Sequence, residues 1–114
     1  MPVPGAKRRI VEAVRPWDGV AISAHRYGGE EFRLGRRELG HIHGDYLVDI
    51  PFPKNVRDRI IAAGDAEAHH ILPKSGWVSL FLRTELDVER AIRLLELSYS
   101  LAVEHRAQIH SHAK

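Results

Sequence analysis

The 114-residue chain has no cysteine, and that absence removes two chemistries at once. Disulfide frameworks and thiolate metal centres are both excluded. Long apolar runs are also missing. Val20-Ala21-Ile22, Ile60-Ile61-Ala62-Ala63 and Leu80-Phe81-Leu82 fall far short of the roughly 20 residues that span a bilayer. The opening residues lack the apolar core of a signal peptide, so a cytoplasmic protein without membrane contact is expected. A one-sided charge is lacking too: residues 1–45 carry 8 basic and 6 acidic groups, and residues 46–114 carry 9 of each. Charge alone therefore does not favour nucleic acid, despite a pI near 9.2.

What remains is one domain's worth of ordinary globular composition. The expected domain is residues 1–114, with a core over about 6–104 and a polar tail over 105–114. Ile10 and Val14 predict a helix over Ala6–Val14, closed by Pro16. From Gly19 to Ile50 the pattern predicts a four-stranded antiparallel meander turning at Gly28-Gly29, Gly35-Arg36 and Gly44-Asp45. Pro53 opens a helix whose inner stripe is Val56, Ile60 and Ala63, with Gly64 as its cap. Ala68–Leu72 reads as a short extended piece, and Trp77–Leu82 as a central strand apolar on both faces. Thr84 and Asp87 form a capping box. After it, Val88, Ile92, Leu95, Tyr99 and Ala102 mark a long amphipathic helix that frays past His105. The fold class is α+β: an antiparallel sheet of about five strands, a long C-terminal helix and two shorter helices.

Eight histidines stand out, because imidazole changes charge near neutral pH and is the commonest metal ligand. His41 and His43 are two apart on a strand, so both rings project from one face, roughly 7 Å between Cα atoms. They are the candidate ligands for a divalent metal, with a third from His25, His69 or His70. A two-residue turn at Gly44-Asp45 pairs Asp49 with Gly40 and sends it to the opposite face, making it a poorer ligand. The plainer reading is that these rings are half-buried sheet residues. Arg26, Arg33, Arg36 and Arg37 flank glycine turns and suit a small anionic ligand, unless they simply pair with Glu30, Glu31 and Glu38. Ser75 has no strand-turn-helix elbow and is a turn residue, not a nucleophile. Trp77 can stack on a ligand or complete the core, whereas His105, His110 and His112 lie in the tail without a role.

Three blocks carry a resemblance: His25 to Gly44, Asp49-Ile50-Pro51-Phe52-Pro53, and His69 to Ser79. Together they resemble the small bacterial "luciferase domain" family, over about Val20 to Val103. The resemblance implies no settled activity, and no residue here argues for light emission. The Trp77-led strand before a helix with Ser98-Tyr99 is similar to MmcQ/YjbR-like proteins, which implies an antiparallel sheet on helices and no chemistry. Three functions follow as expectations. The first is a small-molecule or anion-binding domain with a site of His25, Arg26, Arg37, His41, His43, His69, His70 and Trp77. The second is a metal-dependent enzyme using His41 and His43. The third is a nucleic-acid or protein-interaction module. Ligand identity and oligomeric state are not legible in the sequence.

Overall fold

The computed structural model describes residues 2–25 and 28–112, the side chains beyond residue 109 excepted. In chain order the elements are α1 (Ala6–Val14), β1 (Val20–Ala24), β2 (Glu30–Leu34), β3 (Arg37–His43), β4 (Leu47–Pro51), α2 (Lys54–Ala62), β5 (Glu67–Ala68), β6 (Trp77–Phe81) and α3 (Glu85–His112). The architecture is α+β, with three helices and six strands in the order β1-β2-β3-β4-β6-β5, all neighbours antiparallel. The expected meander is β1 to β4. The sixth strand is the two-residue β5, which meets the expected extended piece Ala68–Leu72 only at Ala68; residues 69–72 form no strand.

One face of the sheet carries the core. Phe32, Leu39, Ile42, Val48, Ile50, Val78 and Leu80 are buried there with Ile10 and Val14 of α1 and Val88, Ala91 and Leu95 of α3. Burying the Leu and Ile side chains stabilises by roughly 1.5–3 kcal/mol each. α3 begins with the reciprocal cap read from the sequence: Thr84 N–H donates to Asp87 Oδ2 (2.9 Å) and Asp87 N–H to Thr84 Oγ1 (3.3 Å). The helix does not fray at His105 but continues to His112. In α2, Ile60 is buried and Val56 half-buried as expected, while Ala63 is exposed. β6 lies between β4 and the short β5, interior but next to the edge. α1 has no cap of its own. Its free N–H groups at Gly5 and Lys7 donate instead to the Asp45 carboxylate, at 3.4 and 2.9 Å, from the β3–β4 hairpin.

Two departures from regular pairing decide what faces where. First, Phe32 pairs with Gly40 but Arg33 pairs with Glu38, so Leu39 is an extra residue, a β-bulge. Its carbonyl accepts the Ser98 Oγ–H of α3 at 2.9 Å, which explains a fully buried serine on an otherwise apolar helix face. Gly40 completes the bulge. A Cβ there would come within 2.8 Å of Leu95 Cδ2 and 3.0 Å of the Asp49 carbonyl. Second, the β3–β4 loop has three residues, because His43 pairs with Leu47 and His41 with Asp49. The expected two-residue turn is thus corrected by one position. A one-residue slip flips every side chain, so Asp49 shares the face of His41 and His43.

Candidate metal centre

The second sheet face carries a row of polar residues directly opposite one another: Ser23, Glu31, His41, Asp49, Ser79 and Glu67 on successive strands. At its middle Asp49 is 1% exposed. Such a group is tolerated only when its lone pairs are filled. Ser79 Oγ–H donates to Oδ1 at 2.7 Å. Three imidazole Nε2 atoms surround Oδ2: His41 at 3.2 Å, His43 at 3.4 Å and His69 at 3.6 Å.

The imidazoles differ in protonation. His41 donates through Nδ1 to Glu38 Oε2 at 2.6 Å as well as through Nε2 to Asp49. Glu38 reaches it because the bulge puts residues 38 and 41 on one face, which an unbroken strand would separate. Burial alone would depress the His41 pKa, but the hydrogen bonds and charges of Asp49 and Glu38 outweigh it and raise the value to about 9. Burial also opposes ionisation of Asp49, yet the bonds from His41 and Ser79 hold its pKa below the usual carboxylate range. Desolvation and the neighbouring His41 charge push His43 down. His69 is lowered mainly by burial. Its Nδ1 accepts the backbone N–H groups of Ile71 and Leu72 at 3.2 and 3.1 Å. In neutral His69 the proton therefore sits on Nε2, aimed at Asp49.

These groups open into a cavity of about 400 Å³ lined by His25, Glu38, His41, His43, Asp49, His69, His70, Ile71, Leu72 and Trp77. The His25 ring stacks on His41 with centroids 4.1 Å apart, and Trp77 lies 5.2 Å from His41. His70 Nδ1 is 3.5 Å from Ser79 Oγ. The structure thus brings together His25, His41, His43, His69, His70 and Trp77 from the sequence reading. Arg26 lies outside the described residues. Arg37 is elsewhere: it pairs with Leu34 on the helix-covered face, because the bulge breaks the alternation that would align it with His41. Glu38, Asp49 and Ser79 were missed as site residues. A signal for Asp49 existed, since a two-residue turn would set Val48 against His41. Three-residue spacing instead pairs Val48 with Ile42, apolar with apolar.

Donor atoms of His41, His43 and Asp49 all lie within 4.8 Å of one another, as do those of Asp49, His69 and His70, and of His25, Glu38 and His41. Among the described residues no helix is long and apolar enough to cross a membrane. The site therefore belongs to an α+β domain with a histidine- and carboxylate-lined cavity on the open face of its sheet. Residues 36–98 match the family model described as Luciferase domain. The match spans more than half of the chain, and the chain belongs to that family. No match was found among curated proteins or solved structures.

Proposed function

We propose that the cavity is a divalent-metal centre, with His41, His43 and Asp49 as ligands, serving a small molecule held against Trp77, Ile71 and Leu72. One observation carries the reading: His41 Nε2 and His43 Nε2 lie 3.2 and 3.4 Å from Asp49 Oδ2. The edge of a tetrahedron with metal bonds of 2.0–2.1 Å is about 3.3–3.4 Å. The surroundings support it. Glu38 on His41 Nδ1 is the carboxylate–histidine pairing that orients metal-bound imidazoles. Ser79 occupies Asp49 Oδ1 and leaves Oδ2 for an ion. Binding requires that His41 give up its Nε2 proton while its Nδ1 proton stays hydrogen-bonded to Glu38.

Charge favours a cation over the anionic ligand expected from sequence. Two carboxylates, Glu38 and Asp49, face one imidazolium, His41. No arginine lines the cavity among the described residues. A bound metal would supply Lewis acidity or an activated water. The chain contributes orientation of the ligands, and His25 and His70 as further imidazoles on the cavity wall. Metal analysis after supplementation with zinc, manganese, iron or nickel should give close to one equivalent, lost in His43→Ala. Less than about 0.1 equivalent of each in the wild-type protein would end this reading.

A further inference from the structure

A second hollow, of about 270 Å³, lies between the β2–β3 turn and the C-terminal half of α3, lined by Leu34, Gly35, Arg36, Arg37, Ala102, His105 and Arg106. It is on the helix-covered side of the sheet, away from the histidine cavity. Register explains its composition. Leu34 and Arg37 form the last pair of β2 and β3, and Leu34 is a core residue. Arg37 accordingly extends beneath α3, whose residues 102, 105 and 106 lie one helical turn apart on the same side. The small Ala102 side chain leaves room beneath.

The acidic side chains that flank this turn in sequence are engaged elsewhere. Lys7 takes Glu30, Arg33 takes Glu31, and His41 takes Glu38. Arg33 also donates through Nη1 to the Arg36 carbonyl at 2.8 Å, which holds the turn in place. Among the described residues, Arg36, Arg37 and Arg106 have no acidic partner, and no acidic one lines the hollow. Three arginines that line one hollow without a counter-charge repel one another and attract an anion. Guanidinium forks match the paired oxygens of a phosphoryl group.

We propose that this hollow binds a phosphoryl group, borne by a phosphomonoester or by inorganic phosphate, through Arg36, Arg37 and Arg106, with His105 at its rim. The site is independent of the metal centre. It accounts for the arginine- and glycine-bearing turn that the histidine cavity does not use.

The test is calorimetric titration of the full chain with inorganic phosphate and with phenyl phosphate, at low ionic strength and in the presence of EDTA. Wild-type protein is expected to bind, and Arg37→Gln/Arg106→Gln to bind at least about tenfold more weakly. Arg59→Gln, an exposed arginine on α2, and His43→Ala should both match wild type. Preference for phenyl phosphate over inorganic phosphate identifies an ester as the ligand, and the reverse identifies the free ion. Absence of binding by wild type overturns the proposal, as does equal binding by the double variant. Loss of binding in His43→Ala overturns it by moving the anion to the histidine cavity. Tighter binding of duplex DNA, with a steep salt dependence, overturns it in favour of nucleic acid. Should the double variant fail to fold, Arg106→Gln alone, at an exposed helix position, gives the same reading.

Discussion

Raising the pH of the metal-free protein should unfasten His41, and the size of the effect follows from its two carboxylate partners. Its pKa is about 9 in the folded chain against 6.5 for a free imidazole, which corresponds to about 3 kcal/mol of folding stability. The side chain is only 11% exposed, so solvent screening takes little from that figure. Because the folded value lies above the unfolded one, the contribution is complete below pH 6.5. It is lost as the pH rises through 9. His43 and His69 have lowered values and titrate on the acid side of 6.5, outside this window. Their contribution, like that of Asp49, is lost on acidification instead. Urea unfolding in EDTA across pH 6.5–9.5 should show wild type losing stability at up to about 1.4 kcal/mol per pH unit. A His41→Gln variant measured alongside removes the background from other titrating groups. If wild type loses no more than His41→Gln over that range, the doubly hydrogen-bonded imidazolium is not how this site is held.

Other outcomes follow from single contacts. Glu38→Gln should weaken metal binding roughly 10- to 100-fold while leaving the three ligands in place, measured by competition with a chromophoric chelator. Ser98→Ala removes the partner of the Leu39 carbonyl and should cost about 1–3 kcal/mol in denaturant unfolding, with no change in metal content. Gly76→Ala sets a Cβ 2.1 Å from the Phe52 carbonyl oxygen, a backbone atom that cannot swing aside. A loss of about 3 kcal/mol is expected there. Thr84→Ala should lower the unfolding free energy by about 1 kcal/mol through the lost cap of α3.

The elements were legible because local signals specify them. Pro16, Pro53, the Thr84–Asp87 cap and the Val88-to-Ala102 spacing each act within a few residues. The sheet's α+β packing also followed from local pattern, and alternation put His41 and His43 on one face, whereas the nearness of His25, His69 and His70 was an expectation that no local signal carried. What the sequence did not reveal depends on counting residues across a hairpin. An extra Leu39 in β3 and a third residue between His43 and Leu47 each shift the register by one. Those two shifts bring Glu38 and Asp49 to the imidazoles and carry Arg37 away. Neither leaves a local mark as strong as a proline or a cap. Only the pairing of Val48 with Ile42, an argument about two strands at once, would have exposed the second. The helical continuation past His105 had no apolar repeat to announce it.

The fastening of α1 has a practical corollary. Asp45 belongs to the tight loop that directly follows His43, yet its oxygens are spent on the amides that open the first helix. Anything that disturbs residues 3–7, such as a fusion tag joined close to Val3, would tug on that loop and tilt the neighbouring imidazole. Preparations tagged at opposite ends would then differ in the metal affinity proposed for the cavity, although every cavity residue was identical.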